Sequence, residues 1–264
     1  MIIKILLPFL LVTALFGAED SWYKSINPKI EAGILSPNLG GDISNVHSKE
    51  IGFASDLGYV DASSSYFSLE MRPTKKYVPN IYINFFNLHE SSDITLDRNI
   101  TVADREYENS HNISADIEYY VVNVLLSDNF ILKGKTFSAF GKRIYTGDLE
   151  FSVGLDVKYI DWTMSVENLS TTDDQGWIEV NELIPLPYLG FKYYWYDLLV
   201  YADISSLSLQ DAKSTYMQAG IDYRIVNGLS LSLGYVYEDF DIKEDDDTVN
   251  FETDGVKASF KYAF

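Results

Sequence analysis

Residues 253–264 read Thr-Asp-Gly-Val-Lys-Ala-Ser-Phe-Lys-Tyr-Ala-Phe and close the chain. Val256, Ala258, Phe260, Tyr262 and Phe264 alternate with Gly255, Lys257, Ser259, Lys261 and Ala263. A period of two belongs to a β-strand, whose successive side chains point to opposite faces. On a soluble sandwich the apolar face would meet a dry core. On a membrane barrel it meets lipid, and the polar face lines the lumen. The alternation recurs upstream in Met217, Ala219, Ile221, Tyr223 and Ile225, and again in Leu229, Leu231, Leu233, Tyr235 and Tyr237. Between these two runs stands Asn227-Gly228, a tight hairpin signal. Similar runs predict strands at 198–207, 188–195, 149–160, 112–122, 80–88, 66–72 and 27–35. The expected fold is all-β: an antiparallel transmembrane β-barrel of about ten strands, with eight and twelve as alternatives.

The opposite end of the chain sets the compartment. Lys4 precedes an apolar run over residues 5–16, followed by Gly17 and Ala18 and then Glu19 and Asp20. This is the layout of a secretory signal peptide, with cleavage expected after Ala18. The division is therefore 1–18 signal peptide and 19–264 barrel, and the expected location is the cell outer membrane. No later stretch has the apolar length of a spanning helix, so a membrane-embedded mature chain must close as a barrel. The chain has no cysteine, which excludes a disulfide scaffold and a lipid-anchored lipoprotein. A net charge of -19 excludes a nucleic-acid partner, since phosphate backbones attract stripes of Lys and Arg. With 20 Tyr and 15 Phe, the composition favours strands and membrane interfaces.

Connections separate into short turns at 75–79, Tyr196-Asp197 and Asn227-Gly228, and long acidic segments at 36–65, 89–111, 161–187 and 239–252. With both termini in the periplasm, the short turns fall inside and the long loops outside. Two segments break the pattern: the short link after Leu209, and 125–148, where a short helix is expected around 137–143. Outward faces are expected to carry Ile30, Ala32 and Ile34; Phe67, Leu69 and Met71; Ile81, Ile83 and Phe85; Ile117, Tyr119 and Val121; and Val153, Leu155 and Val157. Tyr159, Trp162, Tyr193, Trp195, Tyr235, Tyr237, Tyr262 and Phe264 suit interfacial girdles. A soluble periplasmic sandwich is the alternative.

The chain resembles a family of small Gram-negative outer-membrane β-barrel proteins with no settled function. The resemblance rests on residues 29–34 (Lys-Ile-Glu-Ala-Gly-Ile), Asp56-Leu57-Gly58, residues 78–81 (Val-Pro-Asn-Ile), residues 154–161 (Gly-Leu-Asp-Val-Lys-Tyr-Ile-Asp) and Leu233-Gly234-Tyr235. The ending on Phe260, Tyr262 and Phe264 resembles the signal by which such barrels are recognised for assembly. It implies the barrel-assembly machinery as a partner, with outer-membrane lipid and lipopolysaccharide around the mature protein.

Inward positions are expected to hold an ion-pair network: Lys29, Glu31, Glu70, Arg72, Asp116, Glu118, Glu150, Asp156, Lys158, Lys192, Asp203, Asp222, Arg224, Glu238, Lys257 and Lys261. In a narrow barrel these side chains fill the lumen and neutralise one another, so the leading function is structural or surface-interacting. A small channel for ions or solutes is the second. A surface-loop hydrolase acting on lipid or peptide is the third, resting on His89, Ser91 and His111. The spacing His89-Glu90-Ser91 resembles the His-x-Ser of outer-membrane lipid A deacylases. The densest acids, from Asp239 to Asp247, include the metal candidates Asp241, Asp245 and Asp247. The run lacks the glycine an organised calcium loop needs, so a solvated loop is expected, and no cofactor. Lys133, Lys135, Lys142 and Arg143 form the basic cluster of the mature chain.

Overall fold

The computed structural model describes residues 27–45, 50–59, 62–74, 78–103, 105–139, 142–170, 175–208, 212–244 and 247–264. The signal-peptide segment, His47 and Asp245 lie outside them. The described residues form fifteen strands: β1 (Pro28–Asn45), β2 (Ile51–Gly52), β3 (Ser64–Met71), β4 (Asn80–Thr95), β5 (Ile100–Val102), β6 (Arg105–Tyr107), β7 (Asn112–Leu132), β8 (Thr136–Ala139), β9 (Lys142–Tyr145), β10 (Asp148–Asn168), β11 (Gln175–Trp195), β12 (Leu198–Ser208), β13 (Ala212–Val226), β14 (Leu229–Glu244) and β15 (Asp247–Ala263).

Ten of them form the wall, in the order β1-β3-β4-β7-β10-β11-β12-β13-β14-β15, and β15 pairs back onto β1 from Lys29↔Ala263 to Asn45↔Asp247. The wall is thus a closed antiparallel barrel and not a two-sheet sandwich. Closure gives every wall strand a paired neighbour on both sides. Tight turns join strands at the end that holds Pro28 and Ala263: Tyr196 (φ 54) between β11 and β12, and Gly228 (φ 83) between β13 and β14. Gly228 takes this left-handed conformation at no steric cost.

The far end differs from the sequence expectation. The segments 36–65, 161–187 and 239–252 are largely strand, because β1, β10, β11, β14 and β15 run on past the expected apolar spans. Residues 125–132 likewise continue β7, and 137–143 is a hairpin of β8 and β9, not a helix. Phe137 faces Ile144 across that hairpin, a cross-strand apolar pair that a helix would separate.

β10 shows why the far half stays extended. From Leu149 to Tyr159 its outward residues are Leu149, Phe151, Val153, Leu155, Val157 and Tyr159, and its inward ones are Glu150, Ser152, Gly154, Asp156 and Lys158. From Ile160 onward the assignment inverts: Ile160, Trp162, Met164 and Val166 point inward and are fully buried, while Asp161, Thr163, Ser165 and Glu167 face out. Alternation never breaks; only the chemistry of each face changes. An apolar doublet, Tyr159-Ile160, marks the exchange. Matching doublets on neighbouring strands lie in one row, Phe67↔Phe85↔Val122↔Tyr159 outside and Tyr66↔Phe86↔Val121↔Ile160 inside. Below this row the outer wall is apolar and the lumen polar; above it the outer wall is polar and the interior apolar. Ten residue steps at about 3.4 Å, tilted about 40°, give an apolar band about 25 Å tall, the height of a hydrocarbon layer.

The inversion corrects several expectations. Ile117, Tyr119 and Val121 point into the core, so Asp116 and Glu118 of the same strand face outward and do not belong to the lumen network. Trp162 is a core residue, not a girdle residue. Tyr159, Trp195, Tyr235, Tyr262 and Phe264 are exposed on the outer wall, as are Val256 and Phe260 of the closing strand.

Candidate functional site

Two layers fill the barrel. In the polar layer, Glu70 binds Lys29 at 3.4 Å and Lys192 at 3.6 Å and also accepts from Arg72. The Arg72 guanidinium continues to Glu150 at 3.0 Å, which also accepts from Tyr194 at 3.1 Å and Asn129 at 2.8 Å. Across the lumen Glu31 meets Lys257 at 3.2 Å and Lys261 at 3.7 Å, with Ser68 and Ser259 donating to it. Lys261 also binds Asp222 at 2.8 Å. Higher up, Lys158 lies 2.6 Å from Glu238, and both are buried. Asp203 accepts from Tyr188 at 2.6 Å and Gln218 at 3.0 Å, and Gly190 leaves the room that contact needs. Buried charge is tolerable only when paired in this way.

Of the residues expected inside, Lys29, Glu31, Glu70, Arg72, Glu150, Asp156, Lys158, Lys192, Asp203, Asp222, Glu238, Lys257 and Lys261 face the lumen. Arg224 does not join them. It sits at the rim of the terminal end, bonded to Asp197 at 3.0 Å and to the carbonyl of Tyr196, where it fastens a turn. Missing from the expectation is a set of lumen tyrosines. Lys257 lies 4.3 Å from the centre of the Tyr66 ring and Lys261 4.6 Å from that of Tyr201, so aromatic faces share the cationic load. Their inward parity beside Lys and Glu was the signal available in the sequence.

The second layer is an apolar plug. Chain beyond β1 folds inward through β2, and Phe53 and Leu57 lose all exposure. Phe53 packs edge-on against Trp162 (ring centres 5.9 Å) and Phe251 (5.8 Å), and Phe251 meets Tyr119 at 4.9 Å and Phe240 at 5.3 Å. The hairpin of β5 and β6 adds Ile100, Val102 and Tyr107, with the Tyr107 hydroxyl donating to the Val166 carbonyl at 2.8 Å. A polar latch ties the two inserted segments together. Arg98 donates to both Asp56 oxygens at 2.7 Å and to the Glu50 carbonyl at 2.7 Å, while Gly52 donates its amide to Asp56 at 2.8 Å. The Arg98 hydrogen bonds hold the Asp56 carboxyl below the usual carboxylate range.

His89 and Ser91 share the outer face of β4 in its polar half, both exposed. His89 lies 3.6 Å from Glu118, and among the described residues no hydrogen bond joins it to Ser91. His111 contacts Asn168 at 3.1 Å and lies 3.9 Å from Glu108. The histidines are therefore separate, on open surface. Among the described residues no group of three or more His, Cys, Asp or Glu side chains gathers as a metal site, and Asp241 stands alone of the three candidates with a described side chain.

No family model matches the chain, and no curated protein matches it. Among solved structures it is similar to the attachment invasion locus protein Ail of Yersinia pestis, at 8% identity and TM-score 0.35 over 89% of this chain and 99% of that one. It is also similar to Neisserial surface protein A, at 10% identity and TM-score 0.35 over 90% and 97%. A third is the translocator domain of the autotransporter NalP from Neisseria meningitidis, at 13% identity and TM-score 0.42 over 90% and 88%.

Proposed function

We propose that this chain is an integral outer-membrane barrel with a closed lumen, whose far half stands above the membrane as a rigid acidic surface for interactions outside the cell. The observation that carries the proposal is the row of apolar doublets at which the wall inverts. Below it the outer face suits lipid; above it a dry core fills the barrel and Phe53 and Leu57 close the bore. A pore of this width cannot pass hydrated ions through a packed apolar layer. In this orientation both termini lie in the periplasm, the outer wall contacts lipid and lipopolysaccharide, and the closing Phe264 serves assembly. The test is planar-bilayer conductance of the refolded mature chain. Insertion without current steps is the expected outcome, and stable, repeated steps overturn it.

A channel is the second reading, and one observation favours it: the polar half holds a cavity of about 100 Å³. Current then requires the plug to move. Under that reading Arg98→Ala, which removes the latch, conducts while the parent does not.

A further inference from the structure

Among the described residues, eight buried side-chain polar atoms have no hydrogen-bond partner. Five of them line one cavity in the polar half: Oδ1 of Asn84, Asn123, Asn129 and Asp156, and Oγ of Ser205. Native interiors leave few such groups unmet, so a cluster marks a missing occupant. Four of the five are acceptors only, and the Ser205 hydroxyl can accept as well as donate, so the occupant they suit donates hydrogen bonds or carries positive charge.

The register places four of them on one belt of the wall, while Asn129, opposite Ser152, lies nearer the terminal end. Asn84 faces Asn123, and Asn123 faces Lys158, whose inward neighbour one step toward the terminal end is Asp156. Ser205 faces Tyr188, which faces Gly154, the next inward position beyond Asp156.

Charge distinguishes a cation from water. Among the described residues the lumen holds seven acids (Glu31, Glu70, Glu150, Asp156, Asp203, Asp222 and Glu238) against six bases (Lys29, Arg72, Lys158, Lys192, Lys257 and Lys261), one negative charge in excess. Five of the acids have a basic nitrogen within 4.0 Å; Asp156 and Asp203 do not. Asp203 is served by Tyr188 and Gln218, whereas Asp156 keeps a bare oxygen. Water would meet the hydrogen-bond deficit but leave the charge. Hard cations meet both, because they take carboxylate, amide and hydroxyl oxygens together with water.

We propose that this cavity binds one small hard cation, with Asp156 as the charged ligand and Asn84, Asn123 and Ser205 as neutral oxygen ligands. At about 100 Å³ the space holds an ion and a few waters, at about 30 Å³ per water. The site goes beyond the closed-barrel function. Its failure is separable from that function's, since one is read as binding and the other as current.

The test uses the refolded mature chain in detergent, with NaCl, KCl, MgCl₂ or CaCl₂ set against N-methyl-D-glucamine chloride at constant ionic strength. Thermal midpoints and titration calorimetry are the readouts. At least one small cation raises the midpoint by several degrees, and its dissociation constant rises at least tenfold in Asp156→Asn but stays within twofold in Asp241→Asn, which removes a surface acid. Asn84→Leu, which leaves the charge in place, weakens binding as well and stands in if Asp156→Asn does not refold. If no small cation differs from N-methyl-D-glucamine, the cavity holds only water and the proposal is overturned. A shift that survives Asp156→Asn overturns it equally, since the ion then binds elsewhere.

Discussion

Lys158 has no exposed surface, and its ammonium group meets Glu238 at 2.6 Å and Ser214 at 3.4 Å. Such a pair offers little net stability over an apolar pair, but removing one partner strands the other in a medium that cannot solvate it. Lys158→Met is expected to cost about 3–5 kcal/mol, and Lys158→Met combined with Glu238→Leu to recover most of that loss. Urea unfolding followed by tryptophan fluorescence reads both, and equal losses in the single and double variants would count against a stranded charge. The Arg98–Asp56 latch makes a prediction in pH. Asp56 has a folded pKa below its unfolded one, so its contribution is complete above the ordinary Asp value near about pH 3.9 and drains as pH falls through the folded value. Limited proteolysis of residues 50–59 is expected to accelerate on acidification below about pH 4, and Asp56→Asn to be fast already at pH 7. A flat cleavage rate for the parent from pH 6 to pH 2 would mean the latch does not hold the plug.

Two prolines set the behaviour of β11. Pairing with β10 runs through both of them, as Val157↔Pro185 and Leu155↔Pro187, yet pairing with β12 stops at Tyr188↔Ser205 although β12 continues to Ser208. Proline has no N–H to donate, so the missing donors fall on the β12 side and the wall parts there. The same substitution blunts an edge that would otherwise accept another strand. Pro187→Val restores one donor, and amide exchange at Ser206 and Leu207 is expected to slow as the ladder lengthens. Unchanged exchange would place the cause of the parting elsewhere, in the packing of the β5–β6 hairpin against β11. The β8–β9 hairpin shows a different limit. Its residues carry no long period, and its strand pairing follows from Phe137 meeting Ile144 and from ties to the wall, Tyr193 donating to the Thr146 carbonyl at 2.8 Å and Trp195 to that of Tyr145 at 3.2 Å.

At the scale of the whole molecule the barrel is two halves of opposite polarity sharing one wall: one with an apolar outer face and a polar lumen, and above it one with a polar outer face and a dry core. Phe53 joins them, since it enters from a loop and completes the aromatic cluster of Trp162 and Phe251. Phe53→Ala is expected to lower stability by about 3–5 kcal/mol, the cost of a large cavity in a packed core. Its thermal midpoint should fall accordingly, and a change under about 1 kcal/mol would show that the plug is not part of the cooperative core.

Strand identity, antiparallel order and a barrel of ten strands were legible in the sequence, because a period of two survives any environment that differs between its faces. The inward position of Glu31, Glu70, Asp156 and Lys158 followed from the same period. What the period could not supply is which face is inside. Reading Ile117, Tyr119 and Val121 as the lipid face puts Asp116 and Glu118 in the lumen, but their strand inverts at Val121-Val122. The doublets Phe85-Phe86, Val121-Val122 and Tyr159-Ile160 are visible in the sequence, each a single lapse in alternation, and only the register sets them side by side. The local chain thus determined strands and their two faces. The tertiary structure alone decided the height at which those faces exchange roles, because that depends on where neighbouring strands align and on what lies beyond them, lipid, water or an inserted loop.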